Sequence, residues 1–314
     1  MDLATDPHVL AIGEALMDIV TPASNPAAAT EIPGGSPANV AMTLGRLGRN
    51  VALQTWIADD ARGRALTEHF GASHVLITPE SYGATHTPTA TATLDDSGKA
   101  SYTFDLEWAP TPPIHVAKTA RVVHAGSIAA VIEPGGPVVL DALVAARQHA
   151  IITYDPNARP AIMGDPVKSL EVVNKFVAVS DVVKVSDEDI DWLTGGRAVE
   201  DVMRDWLTMG PAMVIVTRGK EGGLVHTSTG IRRSAVPADV RVIDSVGAGD
   251  SFMGGIIDAL WSLGLVGAMS RPALRTLDEA KVASILDRAS HISDITVSRA
   301  GANPPWLSEL AGIM

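Results

Sequence analysis

Short apolar runs alternate with amphipathic stretches along most of the chain. The runs rich in β-branched residues predict strands, and they read "HVLAIGEALMDIV", "VALQTWIA", "VVHAGS", "IITYDPN", "DVVKVSD" and "AMVIVTRG". The stretches with apolar residues at helical spacing predict helices, and they include "ARGRALTEHF", "GGPVVLDALVAARQHA" and "EDVMRDWLTMG". Because strands that alternate with helices form parallel sheets, we expect an α/β fold with a mostly parallel central sheet and helices on both faces.

One segment departs from this alternation. "PTATATL" and "ASYTF" each alternate polar and apolar residues, and the polar turn "DDSG" lies between them. This pattern predicts a β-hairpin without a crossover helix. Such a hairpin could be a lid over a site, a dimer surface or a hairpin without a special role.

A glycine-rich stretch, "DSVGAGDSFMGG", lies between two apolar runs. Residues 240–244 alternate as in a short strand, and apolar residues from Phe252 to Leu263 recur at helical spacing. The glycines are therefore expected in a strand-to-helix turn, where free backbone amides and the helix dipole can bind an anion. Asp250 lies in the same turn, which suggests a site that receives a negative group and removes a proton. Taken alone, the turn could also be a simple helix start.

A second glycine pair, Gly34 and Gly35 in "PGGSPANVA", precedes a predicted helix. Asn39 lies in the first turn of that helix and has an amide that can both donate and accept hydrogen bonds. From the residues alone, Asn39 could instead cap the helix, and Asp18 could cap a loop after an apolar strand.

Composition and the missing motifs exclude several classes of function. The 314 residues carry a formal net charge of −12 and contain no cysteine, which disfavours nucleic acid or anionic membranes as partners and excludes thiol chemistry. We find no secretory signal and no apolar stretch of membrane-spanning length, so we expect a cytoplasmic protein. A Walker A loop, a nucleophile elbow, a zinc-type histidine pair and a dinucleotide fingerprint are also missing from the sequence.

Taken together, "PGGSPANVAMTLGRLG" and "DSVGAGDSFMGG" resemble the two signatures of the ribokinase-like (PfkB) family of carbohydrate kinases. "DPN", "KVSDED", "VTRGKEGG" and "TVSRAGANPP" resemble further family landmarks in the same order. The resemblance implies ATP-dependent phosphorylation of a sugar hydroxyl on a ribokinase-like fold. "GEALMDIV", "DPNARP" and "SRAGANPP" are most similar to fructokinases, which implies D-fructose as the acceptor. The alternatives are a 2-keto-3-deoxygluconate kinase, a ribokinase, a catalytically silent sugar sensor and, more remotely, a nicotinamide oxidoreductase.

The resemblance also implies roles for individual residues. The turn at Gly247, Ala248 and Gly249 would hold the ATP phosphates, and Asp250 would be the base toward the sugar hydroxyl. The residues expected to contact the sugar are Asp18, Gly34, Gly35, Asn39, Arg159 and Phe104. Arg159 could instead form a surface salt bridge, and Phe104 and the nearby Tyr102 could instead mediate packing or dimer contact.

On the nucleotide side, the resemblance implies an ATP site that brings Mg²⁺ with it. The residues expected there are Ser186, Thr217, Gly219, Gly222, Gly249 and Ser290. Asp189 matches a metal-organising position of the family but is shorter than the usual glutamate, so we expect it to reach Mg²⁺ through water. A monovalent cation such as K⁺ would be held by Asp244 and by the carbonyls of Val246, Thr296, Arg299 and Gly301.

The expected domains follow from these assignments. Residues 1–16, 34–86 and 107–314 would form the α/β catalytic domain that binds ATP and sugar, and residues 17–33 and 87–106 would form a small β-sheet lid. The expected partners are a small-molecule sugar and ATP, and a homodimer would form through the lid.

Overall fold

A computed structural model describes residues 1–22, 24–94, 100–236 and 238–310, and these ranges contain thirteen strands and ten α-helices besides short 3-10 turns. The strands are β1 (His8–Ile12), β2 (Leu16–Pro22), β3 (Thr30–Gly34), β4 (Val51–Gln54), β5 (Val75–Ile77), β6 (Thr89–Leu94), β7 (Ala100–Asp105), β8 (Ala120–Gly126), β9 (Ile151–Asp155), β10 (Val182–Ser186), β11 (Met213–Thr217), β12 (Gly223–Thr227) and β13 (Arg232–Ala235). The helices are α1 (Ser36–Arg46), α2 (Ala61–Ala72), α3 (Gly135–Ala146), α4 (Pro160–Met163), α5 (Pro166–Val179), α6 (Asp187–Thr194), α7 (Val199–Met209), α8 (Ala248–Ser262), α9 (Arg271–Arg275) and α10 (Glu279–Val297).

A nine-stranded sheet forms the centre of the molecule, in the order β13-β12-β11-β10-β9-β8-β1-β4-β5. Its pairs are parallel except β11–β12 and β12–β13, which are antiparallel. Successive residues of β1 enter two different apolar cores: Val9 and Ala11 pack with α1, α8 and α10, whereas Leu10 and Ile12 pack with α3, α5 and α7. The predicted α/β fold, with helices on both faces of a mostly parallel sheet, is confirmed.

A separate four-stranded sheet has the order β3-β2-β6-β7. β2 pairs with β3 in antiparallel and with β6 in parallel orientation, and β6 pairs with β7 as an antiparallel hairpin. The two strands of the predicted hairpin are therefore present, while its "DDSG" turn lies outside the described residues. Ile32, Asp18, Ala90 and Phe104 are register partners across the four strands, so they share one face of this small sheet.

Two strand predictions were wrong. The stretch from His8 to Val20 is not one strand, because it divides after Ile12 into β1 of the large sheet and β2 of the small sheet. The chain passes close to α1 at this division. A Cβ atom on Gly13 would lie 2.3 Å from Pro37 Cγ, so only glycine fits there. Residues 240–244 form a loop, because the N–H groups of Ile243 and Asp244 donate to the carbonyl of Val297 rather than to a neighbouring strand.

Glycines allow α8 to pack closely against its neighbours. A Cβ atom on Gly254 would lie 2.6 Å from Thr43 Cγ2 of α1, and one on Gly255 would lie 2.7 Å from the Cα atom of Ala289 in α10. Real Cβ atoms do not approach so closely. The three helices α1, α8 and α10 can therefore pack at this distance only because positions 254 and 255 are glycine. No helix in the described ranges is long and apolar enough to cross a membrane.

We predict that Gly254→Ala lowers the free energy of unfolding by about 1–3 kcal/mol relative to Gly71→Ala, because the new methyl group overlaps Thr43 in a filled core. Gly71 is the matched control, since it lies in α2 and a Cβ atom there would meet nothing within 4 Å. Both changes replace a helical glycine, so the comparison offsets the gain in helix propensity, which is smaller at Gly71 because it lies in the last turn of α2. Urea unfolding measures the difference, and equal stabilities would contradict the packing argument.

Candidate active site

The N-terminal turns of α1 and α8 meet around the carboxylate of Asp250. Ser36 Oγ donates to Asp250 Oδ1 at 2.7 Å, and Asn39 Nδ2 donates to Oδ2 at 2.9 Å. Asn157, which follows β9, adds a longer contact from Nδ2 to Oδ1 at 3.4 Å. Asp250 is 7% exposed, so these donors supply hydrogen bonds that solvent would otherwise give. Sequence reasoning identified Asn39 and Asp250 but missed Ser36 and Asn157.

The glycine turn before α8 leaves backbone donors free. Gly247 is the N-terminal cap of α8 with φ at 75°, a left-handed conformation that favours glycine. Ala248 N–H donates to the Ser245 carbonyl, whereas the N–H groups of Gly249 and Asp250 have no acceptor among the described residues. Two free amides at a helix N-terminus can bind an anion, and here they would place it beside a carboxylate.

A cavity of about 810 Å³ opens beside this turn. Glycines, small polar residues and apolar side chains such as Val240, Val242 and Phe252 line it, and they come from the loops after β11 and before α8 and from α8 and α10. Five of the six residues predicted for the nucleotide line it: Thr217, Gly219, Gly222, Gly249 and Ser290. Ser290 Oγ is buried there without a hydrogen-bond partner in the described part of the chain. Ser186 is not among the lining residues, and its hydroxyl caps α6 instead.

The residues predicted for the sugar are not among those that line this cavity. Asp18 lies against Gly34, since a Cβ atom on that glycine would be 2.2 Å from Asp18 Oδ2. Gly35 caps α1 with φ at 110°, and Asn39 lies one turn further on. Asn39 Oδ1 is buried without a partner among the described residues, so it can accept a hydrogen bond from a ligand hydroxyl. Burial raises the pKa of Asp18 to about 6, and the charge of Arg159 opposes that rise.

Arg159 and Phe104 border this region differently. Arg159 is exposed, and its Nη1 donates to Asn157 Oδ1 at 2.7 Å, so it supports a residue that contacts Asp250. Phe104 is half-buried on the same face of the small sheet as Asp18 and stacks on Tyr102, with ring centroids 6.1 Å apart.

The predicted metal residues are already engaged in backbone contacts. Asp189 Oδ1 accepts from Ala158 N–H and Oδ2 from Ser186 N–H, while Ser186 Oγ accepts from Asp189 N–H in a capping box. Asp244 accepts from the N–H groups of Val246 and Gly301, and these bonds lower its pKa.

These bonds place residues 244–246 next to Gly301, and the monovalent cation site stays a prediction. The carbonyl of Thr296 accepts from Arg299 N–H, so it is partly used. The described ranges hold no group of three or more acidic or histidine side chains that could bind a metal ion.

Glu14 is a buried residue of the site that sequence reasoning missed. Its Oε1 accepts from Ser36 N–H and its Oε2 from Ala129 N–H, both at 3.3 Å. The carboxyl therefore ties the start of α1 to the segment after β8, and it fixes the residue that donates to Asp250. Burial raises the pKa of Glu14 to about 7, although a hydrogen bond from Ser127 and the charge of Arg159 oppose the rise.

The chain is similar to carbohydrate kinases over most of its length. The family model described as "pfkB family carbohydrate kinase" matches residues 6–309. A fructokinase of Rhizobium leguminosarum bv. trifolii is 34% identical over 284 residues, which cover 86% of this chain and 84% of the relative. Probable fructokinase-4 of Arabidopsis thaliana is 29% identical over 98% of this chain and 96% of its own. The crystal structure of a fructokinase with bound ATP from Xylella fastidiosa superimposes with a TM-score of 0.82 at 25% identity, covering 97% of both chains.

We predict that Glu14→Gln removes one component of the pH dependence of stability. The pKa of Glu14 is raised from 4.5 to about 7 on folding, so its protonation stabilises the fold fully below pH 4.5 and this stabilisation is lost as the pH rises through about 7. The loss amounts to about 3 kcal/mol at most. Because glutamine does not titrate, the variant loses less stability than the wild type between pH 5 and pH 8. Urea unfolding at several pH values measures both slopes, and parallel slopes would contradict the assignment.

Proposed function

Because the chain belongs to the pfkB family of carbohydrate kinases, as its two signatures predicted, we propose that it transfers the γ-phosphoryl group of ATP to a hydroxyl of D-fructose. The family makes the chain an ATP-dependent sugar kinase. The proposal concerns the acceptor sugar and the roles of individual residues. Fructose is supported by the two fructokinase relatives at 34% and 29% identity, which align over most of the chain.

The position of Asp250 is the observation that carries the proposal. Its carboxylate lies at the N-terminus of α8, beside free amides that border the large cavity, and it is held by Ser36 and Asn39 from α1. A donor phosphate in the cavity and an acceptor hydroxyl beside α1 would therefore meet at this carboxylate. That is the arrangement an in-line transfer between two substrates needs.

Asp250 would act as the general base toward the acceptor hydroxyl. A carboxylate is too weak a base to ionise an alcohol in advance, so the proton moves to Asp250 as the oxygen–phosphorus bond forms. Ser36 and Asn39 keep the carboxylate in one orientation throughout, because each donates to a different oxygen. ADP takes the electron pair of the broken oxygen–phosphorus bond, the proton stays on Asp250 as the phosphorylated sugar departs, and Asp250 then releases it to solvent.

The amides of Gly249 and Asp250 would stabilise negative charge on the transferring group. Their N–H groups have no acceptor among the described residues and lie at the positive end of the α8 dipole. Mg²⁺ bound to the phosphates would supply further charge neutralisation. The oxygens of Asp189 each accept one N–H and retain a lone pair for a water ligand, so Asp189 fits a water-mediated role. We keep the segment around Asp244 and Gly301 as the proposed K⁺ site.

The sugar would lie between the small sheet and α1. Asp18 and the free Oδ1 of Asn39 would accept hydrogen bonds from its hydroxyls. Gly34 and Gly35 let the chain pass close to Asp18 and to the Glu14 carbonyl, where a Cβ atom would collide. Because every hydroxyl that stays without a partner is costly, such a set of acceptors favours a ligand rich in hydroxyls.

The small sheet would serve as lid and dimer surface. We propose that residues 17–33 and 87–106 close over the sugar as a unit, and that the rest of the chain forms the catalytic domain. The sheet face that carries Asp18 also carries Tyr102, 63% exposed, and Ile32, 46% exposed. A second copy that covers these side chains would bury apolar surface now in contact with water.

We expect ADP release to be fastest with fructose. A coupled assay with ATP and Mg²⁺ would compare fructose, ribose, 2-keto-3-deoxygluconate and nucleosides, and kcat/KM for fructose should exceed the others by about tenfold or more, since one lost hydrogen bond is worth about that factor. A higher value for ribose or 2-keto-3-deoxygluconate would reassign the acceptor. Absence of ADP release with every sugar would indicate a sugar sensor.

We predict that Asp250→Asn lowers kcat by at least about 10²-fold, because the amide cannot take the proton. The KM values for ATP and sugar should change only several-fold, since asparagine keeps the size of the side chain and one acceptor oxygen. Asp201→Asn, the same change in the first turn of α7, should leave kcat unaltered. A kcat above half the wild-type value in Asp250→Asn would rule out the base.

A further inference from the structure

Lys184 is buried directly beneath the glycine turn of α8. It lies on β10 and is the one lysine or arginine with a buried side chain in the described part of the chain. Its Nζ donates to Asp155 Oδ2 at 2.9 Å. A Cβ atom on Gly249 would lie 2.8 Å from the same Nζ, so the ammonium group lies against the backbone of the turn. The landmark "KVSDED" begins with this residue, but the sequence analysis gave it no role.

The groups that face Lys184 are mostly acidic. Asp155 on β9, Asp189 on α6 and Asp250 on α8 all lie close enough to favour its charged form, and all three are buried. His124 on β8 also faces it, and burial together with the ammonium charge lowers the pKa of His124 to about 3, so this imidazole is neutral. Lys184 is therefore the buried cation that offsets the acids around the turn.

The need for such a cation follows from the position of the acids. These three carboxylates face the lysine that lies against Gly249. Without its charge they would repel a polyphosphate and cancel much of the effect of the helix dipole. The ammonium group of Lys184 lies against Gly249 and makes the electrostatic potential positive where the free amides of the turn point outward. Because the pair with Asp155 fixes its position, the charge needs no rearrangement when an anion arrives.

We propose that Lys184 is a positioning residue that makes the Gly247–Asp250 turn electropositive and so sets the affinity of this turn for the phosphate end of the nucleotide. This inference rests on the proposed function, since it takes the cavity beside the turn as the nucleotide site. Lys184 is not among the residues that line the cavity, so it would act through the backbone of Gly249. If Lys184 served only to neutralise Asp155, removing both charges together would leave phosphate binding unchanged.

Two variants separate these roles. Lys184→Gln removes the charge but keeps a donor for Asp155, and the double variant Asp155→Asn with Lys184→Met removes both charges together. Replacing both partners of a buried ion pair is often tolerated, which makes the double variant the safeguard against misfolding. Arg49→Gln is the matched control, because Arg49 pairs with the buried Asp258 away from the turn.

The measurement is calorimetric binding of ATP and of adenosine, each without sugar. We expect Lys184→Gln to bind ATP at least about tenfold more weakly than the wild type, because a nearby unit charge is lost. The double variant should also bind ATP more weakly, but by a smaller factor, because the loss of the Asp155 charge offsets part of the effect. Adenosine, which has no phosphate, should bind with unchanged affinity, and Arg49→Gln should change neither affinity.

Wild-type ATP affinity in the folded variants would overturn the inference. Equal losses for adenosine and ATP, or a failure of both variants to fold while Arg49→Gln folds, would show a structural role and would also overturn it. Failure of the proposed function is distinguishable, because the wild type would then bind no ATP or release no ADP with any sugar.

Discussion

A buried carboxylate can persist in a protein interior only while hydrogen bonds replace its water, and Asp250 imposes this condition on both halves of the site. Its partners Ser36 and Asn39 lie in the first turn of α1, so α1 and α8 must meet there at a fixed distance. Gly254 permits that close approach one turn further along α8. Glu14 then fixes the start of α1 through Ser36 N–H. The glycine turn that borders the large cavity and the first turn of α1 meet at this one contact.

Most of the large sheet could be predicted from the sequence, because buried parallel strands are continuous apolar runs that stand out between amphipathic helices. The predictions failed where the local sequence pattern favours one structure and the tertiary contacts favour another. Residues 240–244 alternate like a strand but find no strand beside them. β3 contains Pro33 and Gly34, which disfavour strands, yet it is tolerated because it lies at the edge of the small sheet.

For the site, the sequence indicated residues whose motifs are contiguous, such as the turn that ends in Asp250. Ser36, Asn157, Glu14 and Lys184 also lie in quoted motifs, but their roles could not be predicted, because these roles depend on contacts between distant segments. A lysine within an apolar run such as "DVVKVSD" is the one signal that could have been used. Buried lysines are rare unless they are paired, so such a residue points to a buried acid.

The contacts of Asp250 also constrain how the protein is made. Ser36 and Asn39 precede it by 214 and 211 residues, so the site closes only after most of the chain has left the ribosome. Until α8 emerges, the donors of α1 and the apolar face that α8 later covers must remain exposed or be shielded by other proteins. Contacts this distant in sequence also slow folding, because the intervening chain loses entropy before they form. Newly made chains are therefore expected to depend on chaperones for longer than proteins whose active sites are built from neighbouring residues.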